Sequence, residues 1–303
     1  MTVQIAIQLI IQVVLPGIFI ADLLRKIFGS KREWLIEVCI LGLLLLFVFL
    51  TARWDAFSYY LRILMPLLYL AASFIAYRKI DTSLPTRKTA LWLSYILQTS
   101  VILVLVWLNV NALRAYIYAD EAVVLSSPLK DGVYYVGGGG NSRWVNNHNA
   151  FPPQNYALDI VRLNVAGNRA NGLAPKDLEK YTIFGDTLYS PCDGQVVIAL
   201  DALADQIPPS SGQLAGNHIV ITCKGVDVLL AHLKKNSIVI STGDNVEEGQ
   251  AIGRVGNSGN SSQPHLHIHA EKGGIASKIL DGQGVPIKFN GRFLVRNDVF
   301  TGN

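Results

Sequence analysis

The sequence predicts a chain in two parts, an all-α membrane region of four transmembrane helices followed by a mainly antiparallel β domain. Two observations predict this fold class: long apolar runs fill the first third of the 303 residues, and short β-branched runs between turn residues fill much of the rest. A predicted strand with histidine at alternate positions indicates the function. We place the membrane region at residues 1–112, a tether and entry segment at 113–150, and the β domain at 151–303.

Each apolar run approaches the roughly 20 residues needed to cross the hydrocarbon core of a bilayer. The predicted spans are Val3–Ile20, Trp34–Ala52, Tyr59–Tyr77 and Ala90–Val110. The first run could instead be a signal peptide, but no basic region precedes it and the next run follows after a short loop. Four retained spans are therefore predicted.

Basic residues in the connecting loops predict the orientation. The first loop carries Arg25, Lys26, Lys31 and Arg32, and the third carries Arg78, Lys79, Arg87 and Lys88. The positive-inside rule places both loops in the cytoplasm, so the β domain is expected outside it. Cys192 and Cys223 then lie where a disulfide is permitted, although two buried free cysteines fit the sequence equally.

The formal net charge of +4 is mostly accounted for by these loops. The remainder of the chain has no basic helix and no basic stripe with interleaved aromatic residues, which nucleic-acid-binding domains usually carry. We therefore expect contact with membrane lipid and no nucleic-acid partner.

The β domain is predicted from runs of apolar residues separated by turn signals. The runs are Tyr156–Leu163, Gln195–Ala199, His218–Thr222, Val226–Ala231, Ser237–Ile240 and Ala251–Val255. The strongest helical pattern here is the short patch Pro175–Glu179. About 150 residues suffice for one core, so we expect an antiparallel sandwich or barrel.

Three histidines fall at alternate positions, His265, His267 and His269. Successive strand side chains point to opposite faces, so the three imidazoles would share one face while Leu266 and Ile268 are buried on the other. Imidazole is the commonest zinc ligand, which favours a metal site over a strand whose histidines simply face water.

An aspartate in an apolar strand is the best candidate for an acidic ligand. Asp159 lies within Tyr156–Val161, and burying a carboxylate is costly unless a partner offsets the loss of water. A divalent cation would do so, and pairing with Arg162 is the alternative. His232 ends a buried strand and His218 begins one, which by themselves suggest a core histidine and an exposed turn histidine.

The chain resembles the lysostaphin-type, LytM-like peptidoglycan zinc metalloendopeptidases over about residues 154–272. Seven motifs occur in the family's order: Ala157–Asp159, Pro191–Val196, Gly216–Val220, Ala231–Leu233, Gly243–Gly253, Gly256–Gly259 and Pro264–His267. The resemblance implies a β-rich fold, sandwich- or barrel-like with a duplicated hybrid motif, and a groove holding one zinc ion.

The resemblance also implies roles for four side chains. Asp159 and His267 match the family's aspartate and histidine zinc ligands, and His232 and His265 match its two non-ligand histidines, which handle protons and stabilise the oxyanion. Three protein ligands leave a fourth position for water, whose pKa the zinc lowers, and a nearby imidazole can take its proton.

One position departs from the family pattern. Its first zinc ligand is a histidine four residues before the aspartate, and Asn155 stands there in this sequence. An amide oxygen is a poor zinc ligand beside imidazole. His148, on an upstream loop, and His269, about 7 Å along the strand from His267, are the possible substitutes, and we favour His148 because loops adjust more readily than strands.

The sequence therefore predicts a multi-pass membrane protein with an extracytoplasmic zinc metalloendopeptidase that cuts peptide bonds of bacterial peptidoglycan. The alternative is a degenerate, non-catalytic wall-binding or regulatory domain that acts through membrane partners. Asn155 favours the alternative, whereas retention of His232, His265 and His267 together favours the enzyme.

Overall fold

The structure is a computed structural model that describes residues 3–84, 91–118, 121–210, 212–273 and 280–302. It divides into two compact units, Met1–Leu113 and Arg114–Asn303. Ala90, the predicted start of the fourth span, and the loop residues Arg87 and Lys88 lie outside the described residues.

Four helices of the first unit are long and apolar enough to cross a membrane, as predicted. They are α1 (Val3–Arg25, with a π-helical turn at Ile10–Val14), α2 (Lys31–Thr51), α3 (Tyr59–Arg78) and α4 (Leu91–Leu113). Only 17 to 22% of the most apolar stretch of each helix is buried. Most of their apolar side chains thus face outward, as lipid contact requires.

Polar contacts to main-chain carbonyls join these helices. The Tyr69 hydroxyl of α3 donates to the Val38 carbonyl of α2 at 2.8 Å, and the Asn109 amide of α4 donates to the Leu43 carbonyl at 2.9 Å. Gly42 makes room for the tyrosine, because a Cβ there would lie 2.6 Å from the Tyr69 hydroxyl oxygen. Small residues and interhelical hydrogen bonds are the usual means of helix association in lipid.

The second unit is mainly antiparallel β structure, which confirms the predicted fold class. Its strands are β1 (Val123–Leu125), β2 (Val133–Gly138), β3 (Leu158–Arg162), β4 (Thr187–Tyr189), β5 (Gly194–Leu200), β6 (Asn217–Cys223), β7 (Val226–Leu233), β8 (Asn245–Val246), β9 (Ala251–Arg254), β10 (Leu266–Lys272), β11 (Gln283–Val285), β12 (Ile287–Phe289), β13 (Arg292–Phe293) and β14 (Val299–Thr301). The main sheet has the order β14-β2-β3-β10-β7-β6-β5-β8, with β11 also paired to β10.

Strand β10 lies in the middle of this sheet and carries the alternating histidines. It is antiparallel to both neighbours, and His267 lies opposite Asp159 of β3 on one side and Ala231 of β7 on the other. Leu266 and Ile268 point to the opposite face and are fully buried in the main core. The alternation therefore separates a site face from a core face.

Within residues 113–150, predicted as a tether and entry segment, β2 pairs with β3 and β14 in the main sheet. One segment elsewhere differs from the expectation. Ser237–Ile240 is not a strand, because the Asp201 carboxylate accepts hydrogen bonds from the Asn236 and Ile238 amides and holds the chain in a loop.

Cys192 and Cys223 form a disulfide that links the turn before β5 to the end of β6. Both residues are buried, and Cys39 of α2 stays free. The bond closes a loop with a sequence separation of 31 residues, which restricts the unfolded chain.

Replacing both Cys192 and Cys223 with serine is expected to destabilise the β unit by about 4 kcal/mol, the loop-closure estimate for a sequence separation of 31 residues. For a unit of this size that corresponds to a melting temperature lower by roughly 8 to 16 °C. Thermal unfolding of the detergent-purified protein measures it, with Cys39→Ser as the matched control. Equal melting temperatures for the parent with and without reductant would contradict the prediction.

Candidate metal centre

Three elements bring a carboxylate and two imidazoles together. Asp159 comes from β3, His267 from β10, and His148 from the short 3₁₀ helix Asn147–Ala150. His148 Nε2 lies 3.1 Å from each Asp159 carboxylate oxygen, and His267 Nδ1 lies 3.0 Å from Oδ1. One donor atom of each residue lies within 4.8 Å of the other two, which is close enough for all three to share one metal ion.

His148 is held in place by the residue two positions before it. Asn146 is fully buried, and its Oδ1 accepts the His148 backbone amide at 3.1 Å. Its side-chain nitrogen donates to the carbonyls of Gly140, Asn155 and Ala157 at 3.0 to 3.2 Å. This single side chain thus anchors the loop that brings His148 over the end of β3.

Asn155 does not join this group. Its side-chain oxygen lies against Gly284 of β11, where an added Cβ would come within 2.2 Å of it. Gly284 pairs with Glu271, four residues further along β10 than His267. At about 3.3 Å per residue, the Asn155 amide therefore points well away from Asp159. The main-chain oxygen of Asn155 instead helps to hold the His148 loop.

His232 and His265 lie beside the group, and Nδ1 of each ring faces a main-chain carbonyl oxygen. His232 Nδ1 lies 2.9 Å from the Ser258 carbonyl, and His265 Nδ1 lies 2.8 Å from the Gln263 carbonyl. A ring nitrogen facing a carbonyl oxygen must carry the proton, which leaves Nε2 of each neutral ring as the acceptor. The ring centroids are 4.8 Å apart, and His265 Nε2 lies 3.5 Å from Asp159 Oδ1.

The backbone at His232 is strained. This residue is the last but one of β7 and has φ of +63°, in the left-handed region that residues other than glycine rarely adopt. Its amide donates to Ala215, its ring donates to Ser258, and together these contacts fix the unusual conformation. Backbone strain held by the surroundings is common at functional sites.

Burial and the neighbouring charges set the ionisation of the group. Burial raises the pKa of Asp159, but His148 and His265 outweigh it and hold that pKa well below its usual value. Burial lowers the pKa of His148, but Asp159 and a hydrogen bond with Gln154 raise it above its ordinary value. Burial, then repulsion from His265 and His267, keeps the pKa of His232 well below its usual range.

A groove of about 380 Å³ opens at these side chains. Most of its lining is apolar, and the residues include His148, Phe151, Pro152, Leu214, Ala215, Leu229, Ala231, His232, His267 and His269. Phe151 and Leu214 are both 58% exposed at its rim. An extended ligand in this groove would therefore lie along the face of β7 and β10 that carries the histidines.

The donor set suits zinc. Two imidazole nitrogens and one carboxylate oxygen are ligands that zinc takes in proteins, and three protein ligands leave a fourth position open. The low pKa of Asp159 keeps it ionised as a ligand must be, and burial lowers the pKa of His267 and favours its neutral form.

Some residues of the site were not found from the sequence. Asn146 is one of several asparagines between 141 and 149, and nothing in the pattern marks it as the anchor. His218, expected as an exposed turn residue, is instead buried, with Nδ1 2.7 Å from the Gly216 carbonyl. Burial lowers its pKa.

Comparison with known proteins gives a family match within the β unit. Residues 179–279 match the sequence profile of Peptidase family M23, which is about a third of the chain. The matched region contains His232, His265 and His267, whereas His148 and Asp159 lie upstream of it. A comparison with curated protein sequences found no match.

Three solved structures of different proteins are similar to part of this chain. A chain of the SpoIIQ–SpoIIIAH pore-forming complex is 17% identical, with 42% of this chain and 59% of that chain covered and a TM-score of 0.27. The catalytic domain of lysostaphin from Staphylococcus simulans is 21% identical, with 38% and 75% covered and a TM-score of 0.25. A zinc-containing peptidase from Vibrio cholerae is 21% identical, with 38% and 46% covered and a TM-score of 0.24.

Less than two thirds of the SpoIIQ–SpoIIIAH chain and of the Vibrio cholerae chain is covered. Because the TM-scores are below 0.5, the assignment rests on the sequence match and on the ordered motifs that surround the histidines. The chain carries a LytM-like domain of Peptidase family M23 behind four helices long and apolar enough to cross a membrane.

Proposed function

We propose that this protein is a membrane-anchored zinc metalloendopeptidase that hydrolyses peptide bonds of bacterial peptidoglycan. The observation that supports it most strongly is the convergence of His148, Asp159 and His267 beside two histidines whose Nε2 atoms are acceptors. A metal site alone would fit a structural or binding role. Two proton acceptors beside it can supply the general acid–base catalysis that accelerates hydrolysis of an amide.

In this proposal His148, Asp159 and His267 hold the zinc, and Asn155 does not. When bound, zinc supplies Lewis-acid chemistry, lowering the pKa of water and polarising a carbonyl group. Asp159 also carries the negative charge that keeps two imidazoles close together in a partly buried site.

The two remaining histidines move protons and stabilise charge. His265 Nε2, 3.5 Å from Asp159 Oδ1, is placed to accept a proton and then return it to the leaving amine. His232 has its Nδ1 proton committed to Ser258, and its low pKa keeps the resting ring neutral, so Nε2 would stabilise the developing negative charge only after it has accepted a proton from the reacting groups. The mostly apolar groove beside them is the proposed place for the peptide.

The proposed location is the outer side of the membrane. The basic residues Arg25, Lys26 and Lys79 flank α1 and α3 at ends that the positive-inside rule places in the cytoplasm. The Cys192–Cys223 disulfide supports the same side, since such bonds persist in oxidising compartments. Peptidoglycan lies on that side, and lipid and a membrane-protein partner remain the other expected contacts.

A second candidate is a wall-binding or regulatory module without activity, and Asn155 at the position of the family's first ligand favours it. Digestion of purified peptidoglycan by the detergent-solubilised full chain separates the two. The peptidase reading expects new amino groups to appear, a chelator to stop their release and added zinc to restore it. Binding to peptidoglycan with no release of amines, in protein loaded with zinc, would favour the module.

His148→Ala is expected to weaken zinc binding by at least tenfold, because the site loses one of three protein ligands. Asn155→Ala is the matched control and should keep zinc, since that side chain faces Gly284. Metal content after dialysis against a competing chelator provides the measurement. Full zinc occupancy in the His148 variant would remove this residue from the ligand set.

His265→Ala is expected to lower the rate of hydrolysis by about 10²- to 10⁴-fold, the usual contribution of a general acid or base, while zinc content stays near that of the parent. Asp159→Ala and His267→Ala should lose both zinc and activity. Parallel measurement of metal content and amine release compares the three. Equal loss of zinc in all of them would mean that the roles are wrongly assigned.

A further inference from the structure

His269, the third alternating histidine, has no part in the mechanism above, yet it is 1% exposed and touches a proposed ligand. Its Nδ1 lies 3.0 Å from His267 Nε2, and the two ring centroids are 5.2 Å apart. It lines the same groove as His148 and His232. A buried imidazole in that position is in contact with both the metal centre and the space where a peptide would lie.

Zinc on His267 would fix where the protons of the two rings are. His267 turns Nδ1 toward Asp159, at 3.0 Å, so Nδ1 is the nitrogen that would bind the metal, and in the zinc-bound ring the proton sits on Nε2. His267 Nε2 therefore donates to His269 Nδ1. The neutral His269 ring must then carry its own proton on Nε2.

That Nε2–H group is buried and has no hydrogen-bond partner among the described parts of the chain. A buried donor left without a partner destabilises the folded protein, because it has given up its hydrogen bonds to water. His269 lies opposite Leu229, and His267 lies opposite Ala231, and most of the groove lining is apolar. The donor is thus a polar group in an apolar groove that a bound acceptor would satisfy.

We propose that His269 has two functions: it positions His267 through Nδ1, and it donates a hydrogen bond from Nε2 to a carbonyl oxygen of the peptide in the groove. This inference rests on the proposed function. Two residues of strand separate His269 from His267, about 7 Å, and an extended peptide advances by about 3.3 Å per residue. The carbonyl recognised by His269 therefore lies about two residues from the bond that is cut.

Two substitutions separate the functions. In His269→Asn the amide Oδ1 replaces Nδ1 as the acceptor for His267, and the donor at the Nε2 position is lost. In His269→Gln the amide Nε2 keeps a donor at the groove, and the acceptor at the Nδ1 position is lost. Both variants stay polar and smaller than histidine, so each serves as the control for the other.

The first measurement is zinc affinity of the full-length protein in detergent, by competition with a chromophoric chelator. His269→Asn should bind zinc within about threefold of the parent. His269→Gln should bind about 10- to 100-fold more weakly, as is usual when the outer partner of a metal-ligating histidine is lost. Equal affinities in the two variants would overturn the positioning function.

The second measurement is binding of acetyl-trialanine amide to the zinc-loaded full-length protein by calorimetry, with His265→Ala in the parent and in each variant so that the peptide is not hydrolysed. The parent and His269→Gln should bind alike, and His269→Asn about tenfold more weakly. With His265 restored, the same loss should appear in KM for peptidoglycan peptides rather than in kcat. Equal peptide binding by the parent and His269→Asn, or none by the parent, would overturn the donor function.

Failure of the proposed function has a different result. A parent that binds zinc and the peptide but releases no amines contradicts the peptidase, and the zinc and peptide data still decide the role of His269. If the parent cleaves peptidoglycan but the two variants match each other in both measurements, the proposed peptidase function stands and the inference about His269 is overturned.

Discussion

The site depends on one register, the antiparallel pairing that sets His267 of β10 opposite Asp159 of β3. Directly opposed residues on a sheet have side chains on the same face within contact distance, so the carboxylate and the imidazole meet without help from any loop. A slip of one residue would turn all three histidines into the core and bring Leu266 and Ile268 to the groove. The buried leucine and isoleucine therefore protect the metal chemistry, because the core admits them in only one register.

The third proposed ligand is held differently. His148 lies on a loop, and its position depends on a fully buried asparagine whose amide satisfies three carbonyls at once. Buried polar groups that are fully paired restrict a segment to one conformation. Asn155, four residues before Asp159, has become part of that support through its main-chain oxygen, and its side chain has turned toward β11.

Hydropathy and the spacing of apolar residues were enough to predict the four helices, the antiparallel β unit and the shared face of the alternating histidines, because each follows from a local pattern in the sequence. The roles of the loop residues were harder to predict. Asn146 anchors His148 by binding the carbonyls of Gly140, Asn155 and Ala157, and these carbonyls become neighbours only once β2 and β3 pair. The Ser237–Ile240 segment was predicted as a strand for a similar reason, since its pattern suits a strand but the Asp201 carboxylate captures its amides.

The loop origin of His148 also concerns the time for which the protein retains metal. Strands at the centre of a sheet open only with the whole unit, whereas surface loops open locally at a much smaller free-energy cost. Asp159 and His267 lie on central strands, whereas His148 lies in a loop segment. Zinc exchange would then follow the opening of residues 147–150 rather than unfolding of the sheet, so the dissociation rate and the folding stability of this protein are set by separate parts of the chain.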